Sequence, residues 1–334
     1  MKKIVTVLIL FSLFAGTAFA QLSFSGDVYS GIQYKRDFND NDAVSAQHRK
    51  EGLPLFNLIG TVGKENYGAK LDTSFQVTND GANSLSLHGI YGWVNFWDNQ
   101  IRLTMGKISD GVWVSSLDAD HEFVFDEITG VRVEYKTPIQ GLRIGAALPT
   151  QDYDLEATAK RAIFGASYVN AMFNAVIAYD SGNNDNVLFG FNFTGIDNLT
   201  SAGIQVKANN LATWDNALVG GIVQVNEKIG YRVMKPLNVY LLAGQTIYAD
   251  KDQDIALTIE PGASYRLMPN LTAFLDLGIS TPNYFETITY KINPSLEYTL
   301  KGPALFYVEY ELELAKYKGD SFHTFGFGID VKAF

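Results

Sequence analysis

The chain has no cysteine and only four histidines, His48, His88, His121 and His323, in 334 residues. That leaves no disulfide framework, no thiolate metal centre and no thiol nucleophile. Charge is sparse too, at 19% of residues, and the balance is acidic: 26 Lys and Arg against 36 Asp and Glu, for a net charge of −10. A surface built to hold nucleic-acid phosphates is thereby excluded. Beyond residue 20 no apolar run approaches the roughly 18 residues that cross a bilayer as a helix, and no long stretch repeats apolar residues at helical spacing. What is plentiful is aromatic side chains, 22 Phe and 18 Tyr, in a 47% hydrophobic composition whose mean hydropathy is nonetheless close to zero. Such a chain is too apolar to be disordered, and its apolar residues must be spread evenly through it.

The N-terminus is the exception. Lys2 and Lys3 precede the apolar run 4–14, followed by Ala18-Phe19-Ala20. A charged start, a short apolar core and small residues before a cut after Ala20 read as a secretory signal peptide, because the run is too short to span a bilayer. The expectation is a cleaved signal at 1–20 and a single domain over 21–334. No Cys follows the cut, so a lipoprotein-type anchor has no attachment point.

Elsewhere the apolar period is two. Within 255–267, Leu257, Ile259, Pro261, Ala263 and Tyr265 alternate with Thr258, Glu260, Gly262, Ser264 and Arg266, which gives a strand one oily and one wet face. Phe306, Val308, Tyr310, Leu312 and Leu314 oppose Tyr307, Glu309, Glu311 and Glu313 in the same way. About 18 segments of this kind run from 22–34 to 322–334. Their connections alternate between tight turns, such as 63–67, 98–99, 137–140, 170–171, 235–236, 268–270 and 301–303, and longer polar loops, such as 35–52, 79–86, 109–127, 150–160, 180–186, 209–216 and 249–254.

Terse turns at one end and generous loops at the other are what a meander produces when its two ends face different compartments. In hydrocarbon every backbone N–H and C=O needs a partner, so a sheet crosses a bilayer only when closed on itself. The predicted fold is all-β: a transmembrane antiparallel up-and-down β-barrel with an even number of strands, about 16 to 18. Aromatic residues recur where strands meet turns, at Tyr34, Tyr67, Phe96, Trp97, Tyr168, Phe173, Tyr179, Tyr240, Tyr248, Tyr298 and Phe325, as belts at the two headgroup levels would.

With these features the chain resembles the bacterial outer-membrane porins of the general type: signal peptide, antiparallel meander, tight turns on the periplasmic side, long outer loops and a final strand ending in Phe334. It departs from them at that end, where Phe325, Phe327, Ile329, Val331 and Ala333 form the apolar phase and Phe334 falls out of step. The resemblance implies location in the cell outer membrane of a double-membraned bacterium, contact with its lipid, assembly by the barrel-insertion machinery and a homotrimer. It also implies that a loop after the fifth strand folds into the lumen, its acidic residues facing basic wall residues across the pore.

The candidate for that loop is 109–127, which carries Asp110, Asp118, Asp120, Glu122, Asp126 and Glu127 and no Lys or Arg. On the flanking strands Arg102, Arg132, Lys136 and Arg143 fall in the polar phase. Opposed charges across a confined aqueous gap make a transverse field that favours small polar or charged solutes. The alternative is a loop resting on the outer rim, although Val112, Trp113, Phe123, Val124 and Phe125 need something apolar to pack on. A second row, Glu260, Asp276, Glu297, Glu309, Glu311 and Glu313, lies in the inward phases of the last strands, offset by Arg266 and Lys291, and points to cation preference.

Nothing in the sequence assembles an enzyme. Gly-x-Ser-x-Gly, His-Glu-x-x-His and phosphate-cradling glycine loops are absent, Asp118 with Asp120 falls short of a calcium loop, and neighbouring Asp120 and His121 point apart on a strand. The function read from the chain is a water-filled diffusion channel for small hydrophilic solutes and ions, without cofactor, metal or nucleic-acid partner. A substrate-specific channel, for sugars for example, needs a slide of inward aromatics, of which Tyr29, Phe274 and Tyr307 are scattered candidates. A surface adhesin or structural barrel needs longer loops.

Overall fold

A computed structural model describes residues 21–39, 41–49, 52–77, 83–118, 121–150, 160–182, 185–193, 195–214, 220–249, 255–282, 287–300, 302–316 and 320–332. The expected signal peptide, Asp120, Ala333 and Phe334 lie outside the described residues. In chain order the strands begin with β1 (Gln21–Asp37), β2 (Asp42–Ser45), β3 (Leu55–Lys64), β4 (Tyr67–Val77), β5 (Asn83–Phe96), β6 (Ile101–Lys107), β7 (Val114–Ser116) and β8 (Glu122–Val124). They continue with β9 (Thr129–Lys136), β10 (Leu142–Pro149), β11 (Ile163–Val169), β12 (Phe173–Asp180), β13 (Asn186–Phe193), β14 (Leu199–Asn209) and β15 (Ile222–Met234). The last are β16 (Leu237–Tyr248), β17 (Ala256–Met268), β18 (Leu271–Thr281), β19 (Thr289–Thr299), β20 (Ala304–Leu314) and β21 (Phe322–Lys332).

Eighteen of these form the wall, each antiparallel to its neighbours, and β21 closes the ring on β1 through pairs such as Ser30 with Ile329 and Gly31 with Gly328. The short β2 is an accessory strand on β1, and β7 and β8 make a separate hairpin. Closure satisfies both backbone edges, which lets a sheet sit in hydrocarbon.

The period-two pattern sets the orientation of the wall. Leu275, Leu277 and Ile279 on β18, Ile292 and Leu296 on β19 and Phe325, Phe327 and Ile329 on β21 are all exposed, while Asp330, in the opposite phase next to Ile329, is buried. Large aliphatic and aromatic residues stay uncovered on the outward phase all round the ring, which marks a lipid-facing belt. At the tight end, Trp97, Asp98 and Asn99 take φ of 48°, 52° and 65° to reverse the chain between β5 and β6. Asp and Asn tolerate that left-handed geometry better than other residues with a Cβ.

Two sequence expectations change. Tyr240 does not belong to an aromatic belt: it shares the inward phase of β16 with buried Leu242, and its hydroxyl donates to Asp276 on β18. The stretch 35–52 is not simply an outer loop. β1 extends to Asp37, β2 returns along it from Arg36–Asp42 to Gln33–Ser45, and β3 pairs with β1 only from Tyr29 downward. Between these pairings, residues 46–49 leave the wall line: the Gln47 N–H donates to the Gly31 carbonyl, and His48 and Arg49 pack against Tyr29 and Tyr307 inside the barrel.

Candidate permeation site in the lumen

The described residues between β6 and β9, 108–118 and 121–128, lie against the inward phases of β9 to β15. Trp113, 1% exposed, sits over Gly165 on β11 and beside Gly145 on β10, and a Cβ at Gly165 would overlap its indole. Ser115 covers Gly190 on β13 and Leu117 covers Gly203 on β14 in the same way. Asn192 Nδ2 donates to the Ser116 carbonyl at 2.9 Å. Absence of side chains at these inward positions lets a strand-like segment press directly onto the wall. Around it Tyr91, Ile108, Trp113, Ile128, Ala147, Ile163, Val176, Ala178 and Leu188 form a hydrophobic core, with Val112, Phe123 and Phe125 packed against it. This core is enclosed by the barrel itself.

Arg132 and Asp126 lock the segment in place. Asp126, fully buried, accepts from the backbone N–H groups of Val112 at 2.8 Å and Trp113 at 3.0 Å and from Arg132 Nη1 at 2.6 Å. Arg132 also donates to Glu134 at 3.0 Å and to the Asp110 carbonyl at 2.5 Å. Its guanidinium is therefore spent on buried partners and is not presented to the pore. At 2% exposure, a charge here is tolerable only because its donors are paired.

The other predicted constriction residues are distributed around the segment. Asp110 pairs with Lys70 on β4 at 2.5 Å and accepts from the Tyr91 hydroxyl. Burial pulls its carboxyl upward, but the hydrogen bonds of Lys70 and Tyr91 and the charges of Lys70 and Arg132 outweigh it and hold the group below the ordinary carboxylate value. Asp118 reaches across to Lys228 on β15 at 2.7 Å and to His121 Nδ1 at 2.8 Å. Its carboxyl is lowered against the opposing pull of burial by these same two partners. Glu127 moves the other way, raised by burial and then by Asp126, Glu122, Asp110 and Asp72. Arg102 packs its guanidinium 4.7 Å from the centre of the Trp93 ring. Glu122 on β8 and Lys136 at the end of β9 are exposed, and exposed Arg143 lines a cavity of about 590 Å³ with Gln140, Ser167, Asn174 and Asn192. The expected pairing of acidic loop and basic wall thus becomes several separate ion pairs, and Lys70, Lys228 and Lys207 join it from strands the sequence did not single out. Lys207 Nζ lies 5.4 and 5.8 Å from the ring centres of Phe123 and Phe125.

Across the lumen the acidic row keeps its inward phase. Glu311 pairs with Lys291 at 2.5 Å and accepts from Asn293 at 3.3 Å, while Gln33 donates to Glu309 at 3.4 Å. Asp276 holds the Tyr240 hydroxyl, Glu297 pairs with Arg49, and Glu260 and Glu313 are half-buried beside them. Arg49 belongs to the inward segment 46–49 and stacks 4.2 Å from the centre of the Tyr307 ring. His48, 1% exposed, lies between the rings of Tyr29 and Tyr307 and contacts Asp330. No sequence motif marks this second inward element. A usable signal was the run Gln47-His48-Arg49, polar side chains for which inward Tyr29, Tyr307 and Glu297 supply partners only once the ring is closed.

The lumen therefore carries two protein elements folded onto opposite sides of an 18-strand ring. Solved structures similar in fold include OccK2 (OpdF) of Pseudomonas aeruginosa in complex with glucuronate, with a TM-score of 0.65 at 10% identity over 93% of this chain and 97% of that one. The fold is that of the outer-membrane porins. A BenF-like porin from Pseudomonas fluorescens Pf-5 gives 0.62 at 10% identity over 93% and 98% of the two chains. The anion-selective porin from Comamonas acidovorans gives 0.56 at 11% identity over 94% and 99%. No family model matches this porin-fold chain, and no curated protein matches it.

Proposed function

We propose that this porin-fold chain, after export directed by residues 1–20, forms a water-filled channel across the outer membrane for passive diffusion of small hydrophilic solutes and ions. The carrying observation is the pair of opposed lumen surfaces: the segment 108–128 with its ion pairs on one side and the row Glu260, Asp276, Glu297, Glu309, Glu311 and Glu313 on the other. A ring of this strand number is too wide for wall side chains alone to fill, so the gap between those surfaces holds water. Carboxylates outnumber the cations that reach them on the β17–β20 side, where Lys291 and Arg49 are the partners, and the channel prefers cations.

Refolded protein in a planar bilayer is the test. Stepwise ohmic conductance with a reversal potential of cation sign in a salt gradient is expected. A sealed barrel, without steps, refutes the channel, and an anion-signed potential refutes the preference.

One observation favours solute selection on top of free diffusion. The cavity beneath the loop offers a guanidinium from Arg143, a hydroxyl from Ser167 and amides from Gln140, Asn174 and Asn192. That donor set suits a small hydroxylated carboxylate, since Arg takes the carboxylate and the neutral groups take hydroxyls. Glucuronate present in the OccK2 complex is a ligand of that class. Current block by a sugar acid, relieved by Arg143→Ala, supports this site, and unchanged block removes it.

A further inference from the structure

The ladder between β10 and β11 stops at Ala147 with Ile163, while β9 stays on β10 as far as Gly130 with Pro149. Pro149 has no N–H with which to extend the first ladder, so β10 and β11 part toward the loop end of the barrel. A cavity of about 570 Å³ opens there. Phe125, Ile128, Pro149 and Ile163 give it an apolar floor, and Glu127, Thr150, Arg161 and Asp180 bring polar groups to its walls. Arg143 and its cavity lie toward the other end of β10, nearer the tight turns.

Two of those polar groups are already occupied. The Thr150 hydroxyl donates to the Thr129 carbonyl at 3.1 Å, and Asp180 accepts from the Gly182 N–H at 2.8 Å. Arg161 and Glu127 differ: among the described residues neither makes a hydrogen bond or an ion pair, with the other or with any third group. Lys107, on the far side of Glu127, gives its ammonium to the Leu87 carbonyl. Asp126, Glu122, Asp110 and Asp72 around Glu127 are all of its own sign. Arg161 is half-buried, and its stem lies over Gly182, where a Cβ would overlap it. Opposite charges left unpaired on two walls of one partly enclosed cavity are poorly solvated, and a ligand carrying both signs relieves both. A singly charged ligand serves one wall only, and the apolar floor asks for a hydrocarbon body as well.

We propose that this cleft is an entry site for zwitterions with an apolar body, of the kind a neutral amino acid provides. Arg161 takes the carboxylate, Glu127 takes the ammonium, and the floor takes the side chain. This ligand class differs from the sugar acid proposed for the Arg143 cavity, and the site adds a selective step at the outer mouth.

Isothermal calorimetry on folded, full-length protein in detergent reads this site without conduction, so its failure and that of the channel are separate results. L-phenylalanine is the probe. Phenethylamine and 3-phenylpropanoate keep the ring and one charge each, and both are expected to bind at least about tenfold more weakly, the scale of one charge-assisted contact. Arg161→Gln and Glu127→Gln are expected to weaken L-phenylalanine by a similar factor, whereas Arg161→Lys keeps part of the affinity. Heat-modifiable gel mobility establishes that each variant is folded, and the ligand series needs no variant. Absence of binding heat with L-phenylalanine, equal affinity for a singly charged analogue, or full affinity in both Gln variants overturns the site.

Discussion

Strands β10 to β13 turn Ala147, Ile163, Gly165, Val176, Ala178, Leu188 and Gly190 toward the barrel axis, whereas β17 to β20 turn Glu260, Asp276, Lys291, Asn293, Glu297, Glu309, Glu311 and Glu313. Both sets of strands present the same kind of outer face to lipid. The difference lies wholly in the second face, and it tells what that face meets: protein in the first case, water and solute in the second. A strand apolar on both faces is buried on both faces, even when one of its covers is bilayer. The lumen is thus divided into a hydrophobic seat that carries the segment 108–128 and a polar bank that faces the solute.

The sharpest way to break this division is to strand the buried charges that hold the seat. Arg132→Met leaves Asp126 and Glu134 without their counter-charge and frees the two backbone donors' acceptor to seek water. The expected cost is about 3–5 kcal/mol, read as a lower urea midpoint and as noisy, enlarged conductance once the segment leaves the wall. Trp113→Ala comes next. It removes the indole from above Gly165 and should cost about 3 kcal/mol of packing, again with larger conductance. A variant with native conductance would show that the seat is not what narrows the lumen.

The covered half was partly legible in the sequence. Alternation in 255–267 and 306–314 gave the barrel and its orientation, because water on one face and lipid on the other leave opposite residues at every step. The runs Ile144-Gly145-Ala146-Ala147-Leu148, Ala175-Val176-Ile177-Ala178-Tyr179 and Val187-Leu188-Phe189-Gly190-Phe191 break that alternation. A lumen face without polar residues needs a cover, and the aromatic, acid-rich stretch 109–127 is the one segment suited to provide it. Less legible were the partners. Lys70 and Lys228 lie far along the chain from Asp110 and Asp118, and only ring closure brings them together. Arg132 was read as facing the pore because its phase is inward, yet the phase says nothing about whether a loop has arrived first. Segment 46–49 escaped for a related reason: a polar stretch between strands looks like an outer loop whichever way it turns.

A smaller effect separates the far edge of the segment from its core. The Asp118 carboxyl is held low by Lys228 and His121. Its folded value lies below its unfolded one, so its contribution is fully present above the unfolded carboxylate value near 3.8 and is lost as pH falls through the folded value. The anchor to β15 is partly solvated and is worth about 1.5 kcal/mol. Conductance should hold steady from about pH 8 to pH 5, with fluctuations appearing below about pH 4. Lys228→Met should show the same fluctuations at neutral pH, and their absence would dissociate the pair from loop retention.

On the polar bank the expected stability effect is smallest and the functional effect is specific. Glu311→Gln with Glu313→Gln changes groups that are hydrated or paired near water: the Lys291 side chain beside Glu311 is 45% exposed, and such a pair is worth about 0–1 kcal/mol. Unfolding should shift little. Selectivity should shift clearly, because the substitution deletes two lumen carboxylates and releases the Lys291 ammonium to the water path, turning the local field toward anions. The reversal potential in a potassium chloride gradient should move toward zero or change sign, with conductance nearly unchanged since no protein element moves. The same double substitution would leave selectivity untouched if ions ran along the loop side instead, past Lys70, Asp110 and Glu127, and the covered half would then be the one that sets the current.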